Sequence, residues 1–123
     1  MIERGQYTGI IKTMPADWCW ECKMTDDEFQ KRIDAMNRFD FHWWFSLSGR
    51  PRYDVLHFYL LMRGRIWFRA NIVSLEGPQS LDCEDGTTRF GRCWAMLGPP
   101  IVHPPREIRM KGFQGFRYTG DLW

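Results

Sequence analysis

Two long apolar runs, residues 54–62 and 65–75, meet at Arg63-Gly64, and a chain that contains them is committed to a β-hairpin. Glycine in a two-residue connection supplies the positive φ that a tight hairpin turn needs. In the second run Ile66, Phe68, Ala70 and Ile72 alternate with Arg65, Trp67, Arg69 and Asn71. That period of two predicts a half-buried strand with a polar and aromatic outer face. Further strands are predicted over residues 7–14, 41–47 and 90–97, with short ones over 108–110 and 116–118. Pro15, Ser48-Gly49-Arg50-Pro51, Gly77-Pro78 and Glu84-Asp85-Gly86 punctuate them. Gly98-Pro99-Pro100 and His103-Pro104-Pro105 bracket a short extended segment in which helix is disfavoured.

One segment breaks the strand pattern. Thr25-Asp26-Asp27-Glu28 is a capping box, in which the Thr hydroxyl takes an exposed amide and Glu28 reaches back. Phe29, Ile33 and Met36 follow at i, i+4 and i+7, which predicts an amphipathic helix over residues 26–37. One helix followed by five or six mostly sequential strands predicts an α+β chain, a small antiparallel barrel or curled sheet with one principal α-helix packed on it. The 123 residues suit one domain, 1–123.

Composition excludes several classes. With 44% hydrophobic and 26% charged residues the chain is neither disordered nor collagen-like, and four Cys do not make a disulfide-dense scaffold. Arg63, Arg65 and Arg69 interrupt the longest apolar region, so no membrane span is expected. The first residues, Met1-Ile2-Glu3-Arg4-Gly5, lack a signal-peptide profile, and a cytoplasmic location is expected. Formal net charge is only +2, but residues 1–48 hold six basic and eight acidic side chains, and residues 49–123 eleven and seven. Thirteen of the basic residues are Arg, the side chain that stacks on rings and forks onto phosphate.

Cys19 and Cys22 form a C-x-x-C in Trp18-Cys19-Trp20-Glu21-Cys22-Lys23. Redox catalysis would need parallel βαβ units and a helix starting at the first Cys, whereas the capping box starts the helix after Cys22. A zinc site would join Cys19 and Cys22 to Cys83 and Cys93, with His103 as a substitute ligand. The spacing of Cys83 and Cys93 is not that of a second C-x-x-C, so the simplest reading makes all four small apolar residues, Cys93 inside a strand. His57, beside Phe58-Tyr59, reads as a hydrogen-bonded core histidine, and His103 is the better candidate for a site. There is no P-loop, no dinucleotide turn and no H-E-x-x-H, and no cofactor is expected.

Aromatic residues make up 16% of the chain, seven of them Trp. Trp43 and Trp44 are adjacent on a strand and must face opposite ways, so at most one packs inward. An exposed ring beside Arg50 and Arg52 would form a base-stacking platform with phosphate contacts. Trp18 and Trp20 lie on the other side of the helix in sequence, and the alternatives are that helix and sheet together bury all four rings or that an exposed ring marks a protein interface. In Gly112-Phe113-Gln114-Gly115-Phe116-Arg117-Tyr118, Gln114 could read a base edge between two glycines, or the segment could be a tight turn closing the barrel. Arg106, Arg109, Lys111 and Arg117 are secondary phosphate candidates.

Residues 7–14, the helix, the hairpin YDVLHFYLLMRGRIWFRANIV and the Pro-rich run into MKGFQGFRY together resemble the PUA-like superfamily, and within it small ASCH or EVE-type domains. The resemblance covers most of the chain through loose motifs. It implies a pseudo-barrel whose cleft beside the helix binds RNA or a modified nucleobase. Some ASCH members hydrolyse an acetylated cytidine with a Lys, a Thr and a Glu, the Lys lying in a Gly-x-Lys-Thr-like segment. The nearest stretch here is Gly5-Gln6-Tyr7-Thr8, with Gln in place of Lys, and the other lysine to test is Lys12. The expected function is therefore non-catalytic binding of RNA, DNA or a modified nucleobase. A protein-interaction or inhibitor module is the alternative, and a nucleoside amidohydrolase the third reading.

Overall fold

Helix α1, Asp26–Phe39, starts where the capping box places it. Glu28 N–H donates to Thr25 Oγ1 at 3.2 Å and Thr25 N–H to Glu28 Oε1 at 3.4 Å, so two otherwise orphaned amides are satisfied. Asp26, Asp27 and Glu28 sit at the positive end of the helix dipole and Arg38 at the negative end. Phe29, Ile33 and Met36 form its buried stripe. The computed structural model describes residues 7–14, 25–39, 42–82 and 86–123.

Among the described residues eight strands accompany the helix: β1 Gly9–Thr13, β2 Trp43–Leu47, β3 His57–Met62, β4 Arg65–Glu76, β5 Gln79–Asp82, β6 Thr88–Gly91, β7 Cys93–Val102 and β8 Phe116–Thr119. Six form a curled half-barrel sheet in the order β2-β7-β4-β3-β1-β8, and β5 pairs with β6 in a separate ribbon. The expectation of a curled sheet with one helix is met. Its sequential antiparallel order is not, because β1 lies parallel to β3, and β7 inserts between β2 and β4. β3 explains the central position: Phe58 through Met62 are all buried, the continuous apolar pattern of a strand covered on both faces.

The two faces bury different clusters. Phe58, Leu60 and Met62 join Ile10, Phe45, Phe68 and Leu97 against the helix stripe. Tyr59 and Leu61 join Ile11 and Ile66 on the other face, covered by Ile108, Met110, Phe113, Leu122 and Trp123. The alternation expected in β4 breaks at a bulge, where pairing shifts between Leu60↔Phe68 and Leu61↔Ile66. Trp67 and Phe68 therefore both face the helix while Ile66 stays with Leu61, and Trp67 is a core residue rather than part of an outer face.

The run expected over 90–97 divides at Arg92, and β7 then continues through Gly98-Pro99-Pro100 to Val102. Proline cannot donate to a ladder. Here the prolines fall where pairing with β4 skips from Asn71↔Gly98 to Arg69↔Val102. Asn37 of α1 replaces the missing partner: its Oδ1 accepts from Ile101 N–H at 2.7 Å and its Nδ2 donates to Ile101 O at 2.9 Å. The strand expected over 108–110 is reduced to a bridge between Arg65 and Arg109. β5 carries no apolar alternation and was not expected. Among the described residues no helix is long and apolar enough to cross a membrane.

Candidate functional site

A sheet that curls without closing leaves two edges, β2 and β8, and the chain brings them close. The loop after β2 carries Ser48, Gly49, Arg50, Arg52 and Tyr53, and it faces Gln114, Gly115, Phe116 and Tyr118 at β8. Gly115 has φ +73°, in the left-handed region, and a Cβ there would lie 3.4 Å from Ser48 Oγ. Glycine suits both the turn and the close approach of the edges. Between them opens a cleft of about 580 Å³, within the ordinary range for a small-molecule site.

One wall is aromatic. Tyr7, just before β1, lies 5.0 Å from Tyr53 and 5.2 Å from Tyr118 between ring centroids. Tyr53 meets Tyr118 edge-to-face at 4.8 Å, and Phe116 continues the row at 5.6 Å from Tyr118. Tyr118 also fixes the loop opposite, because Arg52 N–H donates to its Oη at 2.6 Å. The other wall is basic. Arg50 donates to Leu75 O at 3.3 Å, and among the described residues neither Arg50 nor Arg52 forms an ion pair. Among the described residues no carboxylate lines the cleft, and Gln114 adds an amide that can donate and accept. Rings, two guanidiniums and one amide are a combination suited to a flat, anionic, hydrogen-bonding ligand.

Three of the sequence candidates, Arg50, Arg52 and Gln114, thus share one cleft. The others are elsewhere. Trp43 is 8% exposed, with Phe45 at 5.2 Å, Phe29 at 5.5 Å and Phe68 at 6.0 Å, so it belongs to the core and forms no stacking platform. Trp44 is half-buried against the edge of the same core and lines no part of the cleft. Arg117 points to the opposite face, over the Phe113 ring at 4.1 Å, and Lys111 is exposed away from the cleft. Arg109 pairs with Glu107 at 3.4 Å, and Arg106 lines a second cavity with His103.

The three tyrosines were missed because no local pattern links residues 7, 53 and 118. The available signal was the position of Tyr53 and Tyr118, each two or more residues beyond a Gly-containing turn that already held an Arg or Gln candidate.

Lys12 lies on the helix-facing side of β1, paired with Leu60 and Phe116, and burial pushes its pKa below the ordinary lysine value. Cys93 is buried in β7, and that burial pushes its thiol above the ordinary cysteine value. Cys19, Cys22 and Cys83 lie outside the described residues, and among the described residues no group of three His, Cys, Asp or Glu could hold a metal. His57 is half-buried with Nδ1 3.5 Å from Asp121, whose carboxyl is held below the usual range chiefly by a hydrogen bond from Thr8. No family model, no curated protein and no solved structure matches the chain.

Proposed function

We propose that the chain is a non-catalytic binder of single-stranded nucleic acid or a modified nucleobase, and that the cleft between the β2 and β8 edges is its site. The observation that carries this reading is the cleft's composition. Tyr7, Tyr53 and Tyr118 face Arg50, Arg52 and Gln114, and among the described residues no carboxylate lines the cleft. A base would lie against the tyrosine wall, its phosphate on the two arginines, and its edge on the Gln114 amide. The bland formal charge of +2 suits a local contact rather than coating of a duplex. The PUA-like resemblance, of ASCH or EVE type, agrees with a half-barrel carrying one helix, and it adds the expectation of a base-sized cleft.

The test is fluorescence anisotropy of a labelled single-stranded tetranucleotide, as RNA and as DNA, with unlabelled modified nucleosides as competitors. Tyr53→Ala removes one stacking ring, worth ~1–3 kcal/mol, and weakens binding about 5- to 150-fold. Absence of binding to either polymer or to the nucleosides removes the proposal and leaves the protein-interaction reading.

A further inference from the structure

A second cavity of about 280 Å³ opens at the other end of β3 and β4, between the first turns of α1, the start of β4 and residues 103–107. Gln30, Arg65, Trp67, His103, Arg106 and Glu107 define it. We infer that this cavity is an anion site that takes a phosphate group, through Arg65 and Arg106.

The charges do not cancel. Arg63 is matched by Asp26, its Nη1 lying 2.5 Å from Oδ1, and Arg109 by Glu107 at 3.4 Å. Arg65 reaches the other oxygen of Asp26 only at 3.9 Å, and Arg106 has no ion pair or hydrogen bond among the described residues. Among the described residues the two guanidiniums therefore share the concavity with Glu107, which is paired to Arg109, and with a fraction of Asp26. Like charges held together cost free energy that an anion between them relieves.

The cavity is also preformed. The Arg65 guanidinium carbon lies over the Trp67 ring, 4.0 Å from its centroid. That ring is fixed in turn by its Nε1 donating to Met62 O at 2.7 Å and by an edge contact with Phe29 at 5.3 Å. The β4 bulge is what turns Trp67 to this side. A stacked guanidinium keeps its in-plane N–H groups free for a bidentate acceptor. The segment just after the opposite wall is tied to the β3–β4 hairpin twice: Ile66 N–H donates to Ile108 O at 2.9 Å and Met110 N–H to Gly64 O at 3.0 Å. His103 completes the frame. Its Nδ1 lies 3.3 Å from the Trp67 carbonyl, which can only accept, so Nδ1 carries the proton and Nε2 accepts from Gln30 at 2.9 Å. Both ring nitrogens are so engaged within the frame, and the anion's partners are the arginines.

Two sources could supply the phosphate: the backbone of a strand already held in the tyrosine cleft, or a free phosphate ester. The experiment titrates the full chain with inorganic phosphate at constant ionic strength, chloride serving as the reference anion. It follows the Trp67 indole and Arg65 Nε resonances by NMR. The account expects saturable shifts that chloride does not produce, weakened about tenfold in Arg106→Gln and strengthened several-fold in Glu107→Gln. Both positions are exposed, so the fold survives either change. Shifts that stay linear, or that are the same in both variants, overturn the site. A parallel titration with a 15-nucleotide strand separates the sources. Weakening in Arg106→Gln identifies the strand's own phosphates, and unchanged strand affinity beside lost phosphate binding identifies a free ester. The inference does not depend on the tyrosine cleft, so the phosphate titration stands if strand binding fails.

Discussion

The cleft makes a quantitative prediction about salt. If its two arginines are the only side chains that neutralise phosphates of a short strand, two counterions at most are released on binding. For single strands the slope of log K against log salt is about −0.7 per neutralised phosphate, so the limit is about −1.4. Raising salt from ~50 to ~200 mM then weakens a tetranucleotide by at most about sevenfold. Arg52→Gln removes one contact and halves the slope, leaving a loss of about 2.6-fold over the same range. Arg52 is exposed and its structural bond to Tyr118 Oη comes from its backbone N–H, so this substitution leaves the loop in place. The assay is anisotropy at four salt concentrations for the wild type, Arg52→Gln and Lys111→Gln. Lys111 lies away from the cleft and should not change the slope. A wild-type slope steeper than about −3, or equal slopes in the wild type and Arg52→Gln, would refute the two-arginine account. Either result would mean that binding is spread over the basic surface of residues 49–123.

Three further predictions concern the scaffold. Phe29→Ala removes a fully buried ring that contacts Trp43, Trp67 and Phe68, and should cost about 3–5 kcal/mol, or about 12–20 °C in Tm for a chain of this length, whereas Phe90→Ala, 66% exposed, should change stability by less than about 0.5 kcal/mol. Gly9→Ala places a Cβ 2.8 Å from His57 O and 2.9 Å from the Tyr59 ring, and since β1 and β3 cannot separate without losing their ladder, denaturant melts should show a loss of at least about 1–3 kcal/mol. Lys12 binds its proton less tightly folded than unfolded, so the unfolded chain holds more protons between the two pKa values; its contribution to stability therefore rises as pH climbs from neutrality towards the ordinary lysine range, and melts of Lys12→Met should lack that rise.

What the sequence made legible was local. The spacing of Thr25 and Glu28, and of Phe29, Ile33 and Met36, sets contacts within two or three helical turns, and each is found as expected. Arg63-Gly64 likewise makes its hairpin, with both residues at positive φ. Strand order was hidden because it depends on pairings such as Ile10 with both Phe58 and Tyr118, far apart in the chain. The prolines of β7 read as a stop because the substitute partner, Asn37, sits on a helix more than sixty residues away. In the cleft, Arg50, Arg52 and Gln114 stood out by their own neighbourhoods. The ring wall did not, since the seven Trp drew attention that belonged to three tyrosines. Trp43 shows why: alternation with Phe45 and Leu47 places it inside, and that signal was present in residues 43–47.

The most direct test of the tyrosine cleft is to map a bound strand onto the side chains by NMR, using the tetranucleotide and the full chain. The account predicts that the Gln114 amide, the Arg50 and Arg52 Nε groups and the rings of Tyr53 and Tyr118 shift together, with intermolecular contacts from a base to a tyrosine ring. The Trp43 and Trp44 indoles should stay still. Shifts concentrated at Trp44 or spread along Lys111 and Arg117, with the tyrosines unmoved, would contradict it.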